Sequence, residues 1–128
     1  MLFRSVLAAN RLPKKTPADI AARAGAVECA GQGATKVPLD VLEATIKALE
    51  LALRAAKDGN PNSVSDAGVA GAAALAAAEG AALNVRINLP GLTDRVVADE
   101  YRARQAGALA RARELAEKLR GVVDQVLR

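Results

Sequence analysis

Histidine and tryptophan are absent from this 128-residue chain, and phenylalanine, tyrosine, cysteine and methionine occur once each. Without histidine there is no Ser-His-Asp or Cys-His triad and no imidazole base. The single cysteine, Cys29, excludes an intrachain disulfide and a thiolate zinc cluster, so no metal site is expected. Acid–base chemistry is left to carboxylates, lysines, Tyr101 or that one thiol. Aromatic residues are too few to stack bases, and 18 basic against 14 acidic residues is a mild excess, so no nucleic-acid partner is expected. Residues 1–4 lack the apolar core of a leader. The alanine-rich run 67–78 falls short of the ~20 residues of a membrane span. A cytoplasmic protein without a membrane partner is the expectation.

What the chain has is alanine, 31 residues of it, and helical periodicity nearly throughout. Thr16 suits an N-cap, with Pro17 at the first helical position and Asp19 at the third. Ile20, Ala24 and Val27 then share a face, while Gly25, Gly31 and Gly33 each cost about 1 kcal/mol in a helix interior. Those glycines shorten the helix or admit a close neighbour, and Pro38 restarts or kinks it. Leu39, Leu42, Ile46, Leu49, Leu53 and Ala56 form an amphipathic stripe that ends at Asp58-Gly59-Asn60-Pro61-Asn62, with Gly59 expected in the left-handed C′ conformation. Ser63 to Asp66 reads as a second capping box, opening a helix over 67–88 so uniformly small and apolar that burial on all sides is expected. Pro90-Gly91 breaks it, and Thr93 caps a last helix striped by Leu115, Leu119, Val122 and Val126, with Arg102, Arg104, Arg111 and Arg113 mostly on its other side. No strand-like alternation of useful length occurs. The fold class is all-α, an antiparallel bundle of long alanine-rich helices in one domain, 1–128. Small side chains give a shallow core, which self-association would complete.

Chemistry concentrates in three places. Asn60, Asn62, Ser63, Ser65 and Asp66 converge on a helix start, where free N–H groups favour a carboxylate, a phosphate or a polarised carbonyl; ordinary turn and cap chemistry accounts for the same residues. Asn84 and Asn88 share a helix face, suited to the amide-like edge of a heterocycle or to interhelical hydrogen bonds. Arg86 points roughly the opposite way and suits a carboxylate. Lys14 and Lys15 precede a helix start within a front section, 1–36, holding six bases and two acids. They suit a polyanionic small ligand, or simply a solvated loop. Cys29 is expected as a small core residue, and Tyr101 is expected to pack its ring.

Asn10-Arg11-Leu12-Pro13-Lys14-Lys15-Thr16-Pro17, the run 59–69 and Leu83-Asn84-Val85-Arg86-Ile87-Asn88-Leu89 together resemble the formiminotetrahydrofolate cyclodeaminase / methenyltetrahydrofolate cyclohydrolase family. The resemblance implies an all-helical homodimer acting, without a permanently bound cofactor, on a tetrahydrofolate derivative as substrate. The first activity, an ammonia-lyase, closes a formimino group into 5,10-methenyltetrahydrofolate; the second, a hydrolase, opens the methenyl bridge. The cyclodeaminase is the expected activity, with the cyclohydrolase or a truncated non-catalytic folate-binding or structural bundle as the alternatives. With the family's upstream aspartate missing from this chain, Asp66 is the one carboxylate in a polar cluster and becomes the candidate for proton transfer. Asn60, Asn62, Ser63, Ser65, Asn84, Arg86 and Asn88 become substrate-binding residues, and Lys14 and Lys15 steer the glutamyl tail. Family domains begin upstream with a Pro-Gly-Gly-Gly-Ser helix start and an aspartate-bearing helix. Met1–Ser5 resembles the cut end of such a domain, so a C-terminal portion with part of the folate pocket and little or no turnover is expected. One cavity walled by the 59–66 turn and the Asn84–Asn88 flank is the geometric expectation that ties these residues together.

Overall fold

Thr16 begins the longest element as its neighbours dictate. Its hydroxyl accepts the Asp19 N–H at 3.1 Å, and the Asp19 carboxylate accepts the Thr16 N–H at 3.0 Å, a complete capping box. The computed structural model describes residues 2–128, with side chains for residues 4–128. Among the described residues all the regular structure is helical: α1 Leu2–Asn10, α2 Pro17–Asp58, α3 Val64–Asn88 and α4 Arg95–Val126. Short 3₁₀ turns, Pro61–Ser63 and Leu89–Gly91, lead into and out of α3. The expectation about Met1–Ser5 rests in part on Met1, which lies outside the described residues.

Helices α2, α3 and α4 pack around the expected stripe, with α3 and α4 running antiparallel. Leu39, Leu42, Leu49, Leu115 and Leu119 are almost wholly buried. Ala78, Ala81, Ala82 and Ala112 fill the space between them, so the core is thin. Tyr101 packs its ring with Leu39, Val85 and Leu92, and the Arg104 guanidinium lies 5.8 Å from the ring centroid. Helix α1 lies along the first half of α2, held by Arg23, which donates to the Asn10 backbone carbonyl at 3.3 Å and to Asn10 Oδ1 at 3.1 Å.

Pro38 does not restart the chain; α2 passes through it as one 42-residue helix. A proline offers no N–H to the carbonyl four residues earlier, here Ala34. Asn88 replaces that donor from across the bundle, its Nδ2 donating to Ala34 O at 3.0 Å. The orphan carbonyl is satisfied by a residue 54 positions away, which is why local pattern pointed to a break.

Four other local expectations are corrected. Gly59 is extended (φ −85°, ψ −170°) rather than left-handed. It is required because its N–H reaches Ala55 O at 3.0 Å, and a Cβ there would fall 2.3 Å from that same oxygen. Ser63 makes no side-chain cap, because the chain enters α3 through a 3₁₀ turn and leaves Ser63 at φ −106°, ψ 13°, unsuited to capping. Asp94, not Thr93, caps α4, accepting from Val96 and Val97 N–H groups. Cys29 is exposed, since the short α1 presents mainly small side chains, Ser5, Ala8 and Ala9, across the hollow it lines.

The largest departure concerns α3. One stripe of it is buried, but Val69, Leu83 and Ile87 are 69%, 61% and 77% exposed. The segment Pro61–Gly91 is long and apolar enough to meet the length and composition of a membrane span, with a mean hydropathy of 1.3 in its most apolar 18 residues, of which 28% are buried. A bundle of three long helices covers only part of a helix that is apolar all round. The start of α2 is uncovered too, and Ile20 is 55% exposed.

Candidate functional site

The seam between α2 and α3 opens outward beyond Asn88, where α1 contributes Val6. A groove of about 720 Å³ lies there, within the size range of small-molecule sites, walled by Val37, Pro38, Val41, Ala77, Gly80 and Ile87. Among the described residues no charged side chain lines it. Its polar groups are two amides. Asn88 is committed to the Ala34 carbonyl, so the interhelical alternative is what the structure shows for it. Asn84, one turn earlier, lines the same groove and is exposed, and its side chain makes no hydrogen bond among the described residues. A lone amide beside apolar walls can meet the donor–acceptor edge of a heterocycle while the walls cover its faces.

The 59–66 segment lies at the other end of the same seam. Asn60 Oδ1 accepts the Asn62 N–H at 3.0 Å, and the Asn60 carbonyl accepts the Ser63 N–H at 2.9 Å, which fixes the 3₁₀ turn. Asn60, Ser63 and Asp66 line a second, shallower hollow of about 520 Å³ with Leu51 and Ala55 of α2. Neither the Ser63 hydroxyl nor the Asp66 carboxylate is used as a cap, so both remain available to a ligand. Asn62 is exposed. Ser65 turns to the opposite flank and lines the α3–α4 groove with Arg120. Arg86 is exposed.

The expected single wall does not form within one chain. Asp66 and Asn84 lie 18 residues apart on α3, about 27 Å at 1.5 Å per residue. Lys14 and Lys15, exposed in the loop before α2, lie beyond the Asn84 end. Ala34, at the level of Asn88, is 17 residues into α2, so the lysines stand about 25 Å further along. That distance is roughly three screening lengths at physiological ionic strength, so the pair does not hold a ligand at Asn84. The seam therefore brings Asn84 to Asn88 and Asn60 to Asp66, and leaves Ser65, Arg86 and the lysines elsewhere.

Sequence reading passed over Glu28, which closes the Asn88 end of the bundle. Its carboxylate accepts from the Thr93 N–H and Thr93 hydroxyl, both at 2.7 Å, from the Asp94 N–H at 3.2 Å and from Gln32 Nε2 at 3.0 Å. Those donors, led by the Thr93 backbone, hold its pKa at about 2. An acid between two glycines and alanines was the available signal, but its partners lie 65 residues on. Between α2 and α4, Arg104 grips Glu43 through two 2.9 Å bonds, and Arg111 reaches Glu50 at 3.5 Å. Arg113 holds Glu79 of α3 through bonds of 2.6 and 2.9 Å. Ion pairs thus occupy the two seams that α4 makes, and among the described residues none bridges α2 and α3. No three His, Cys, Asp or Glu side chains converge among the described residues.

An all-helical domain with a ligand-sized, uncharged groove at a helix seam is the class that fold and site define. The family model described as formiminotransferase-cyclodeaminase matches residues 1–107, and the chain belongs to that family. It is 42% identical over 117 residues to a methenyltetrahydrofolate cyclohydrolase of Methylorubrum extorquens, covering 91% of this chain and 56% of that protein. It is 35% identical over 123 residues to the formimidoyltransferase-cyclodeaminases of Rattus norvegicus and Mus musculus, covering 95% of this chain and 23% of each. The chain thus spans about half the length of the first of these relatives and about a quarter of the others.

Proposed function

We propose that this chain works in folate one-carbon metabolism, on the carbon that bridges N5 and N10 of tetrahydrofolate. The observation that carries the reading is that the uncharged groove of this family member holds one uncommitted amide, Asn84. Asn84 binds the amide edge of the pterin, the apolar walls cover its ring, and Lys14 and Lys15 draw in the glutamyl tail. Asp66, with Asn60 and Ser63 beside it, is the proton-transfer group of this reading, and since one chain holds it about 27 Å from Asn84 it serves a pterin bound in the groove of a second copy. Asn62, Ser65 and Arg86 contribute to substrate binding from the flanks, and Asn88 holds the groove open from behind. A homodimer in the cytoplasm, working without a resident cofactor, completes the reading.

Two reactions meet at that carbon. In hydrolysis water adds to the methenyl carbon, one carbon–nitrogen bond breaks, a proton is released and a formyl group stays on the other nitrogen. In cyclodeamination N10 attacks the formimino carbon and gives up its proton, and the former imino nitrogen, having taken up that proton and one more from an acid, leaves as ammonia. The 42% identity to a cyclohydrolase favours the first, and the family description favours the second. Titrating the chain with 5,10-methenyltetrahydrofolate should give saturable binding, weakened about tenfold, or about 1.4 kcal/mol, in Asn84→Ala. Following the methenyl chromophore with the bound substrate, and ammonia release from the formimino substrate, distinguishes the two reactions. A helical, folded chain that binds neither substrate overturns the proposal.

A further inference from the structure

Helix α3 carries three glycines, Gly68, Gly71 and Gly80, and each weakens a helix interior relative to alanine, because bare backbone loses more freedom on folding. Two of them let α4 come close. A Cβ on Gly71 would fall 2.1 Å from Leu119 Cδ2, and one on Gly68 would lie 3.3 Å from Val123 Cγ1. Gly80 has no such reason. A Cβ there meets nothing within 4 Å, and no glycine among the described residues has a positive φ. Gly25, Gly107 and Gly121 also face open space inside helices, but of these four Gly80 is the one that lines the groove beside Asn84.

Gly80 and Asn84 stand four residues apart on one face of α3, about 6 Å along its axis. A fused two-ring heterocycle spans about that much. Across the groove α2 presents Val37, Pro38 and Val41, and α3 answers with Ala77 and Gly80. One wall is therefore made of branched and ring side chains, and the other has bare backbone next to its free amide. A planar ring laid on Gly80 touches the helix itself. A methyl group at position 80 would lift that ring and draw its edge away from Asn84, and a crowded, well-fitted contact yields little to such an insertion.

We infer that Gly80 is a specificity-determining residue of the groove: its missing side chain is the clearance in which the pterin rings lie, so that their amide edge reaches Asn84. The clearance belongs to the groove itself, and the pterin as its occupant rests on the folate reading above. Helix α3 gives up stability at this position in exchange for room, the trade that binding sites commonly make.

Two glycine substitutions separate the two effects. Gly80→Ala and its control Gly107→Ala, at an exposed position of α4, should both raise the thermal midpoint by a few degrees. Of the two, Gly80→Ala alone should weaken binding of 5,10-methenyltetrahydrofolate, by about tenfold, and Gly80→Leu should weaken it by about a hundredfold or more. The tail-less 6-methyltetrahydropterin should lose affinity by the same factors, and both Gly80 variants should keep the molar mass of the wild type. Wild-type affinity in Gly80→Leu overturns the inference. So does a loss confined to the full folate, or a wild type that binds the folate and not the tail-less pterin, since either places the contact at the tail. A changed molar mass overturns it too, by making position 80 a contact between chains. A folded wild type that binds neither ligand sinks the folate reading and the pterin with it, whereas unaltered affinity in the Gly80 variants of a chain that does bind sinks the clearance alone.

Discussion

Asn88 shows how one side chain can be misjudged when only its neighbours in sequence are visible. Its amide replaces the hydrogen bond that Pro38 withholds from Ala34 where α2 runs on unbroken along the wall of the groove. Asn88→Ala should cost about 1–3 kcal/mol by leaving a half-buried carbonyl unsatisfied. Adding Pro38→Ala returns a backbone donor to Ala34 and should recover most of the loss, measured by urea denaturation. A double variant no more stable than Asn88→Ala contradicts the pairing. Gly59 offers a second test. A left-handed glycine tolerates asparagine, but an extended one crowded by Ala55 O does not. Asn and Ala at position 59 should therefore destabilise alike, by about 1–3 kcal/mol.

Elements were legible where one helix settles its own fate. The stripe from Leu39 to Ala56, the Thr16 capping box and the all-helical class followed from spacing alone. Boundaries failed where a distant group intervened: Pro38 through Asn88, and the start of α4 through Glu28. That carboxylate ties the 3₁₀ exit of α3 and the cap of α4 to α2. Its pKa is lowered from 4.5 to about 2, so its contribution is complete above pH 4.5 and is lost as pH falls toward 2. Glu28→Gln should remove that acid-sensitive step and cost about 1–2 kcal/mol at neutral pH, given the partial exposure of the group. Amide exchange at Thr93 and Asp94 should speed up in the same variant. An unchanged acid limb would contradict the clasp.

At the scale of the molecule the division of charge organises the fold. Ion pairs line the seams that α4 makes with α2 and α3, and the α2–α3 side carries the apolar surface that the small core leaves over. The family was legible because its motifs are short and local. The candidate site read as one wall in the sequence, whereas the length of α3 sets Asp66 and Asn84 about 27 Å apart. Uniform apolarity read as burial, whereas three helices cover only one stripe of α3. The most direct measurement is the side-chain amide NMR signal of Asn84 during a titration with 5,10-methenyltetrahydrofolate. A saturable shift at Asn84, with the Asn88 amide still bonded to Ala34, is the predicted result. Saturable binding that leaves the Asn84 amide unmoved would contradict the placement of the ligand in this groove.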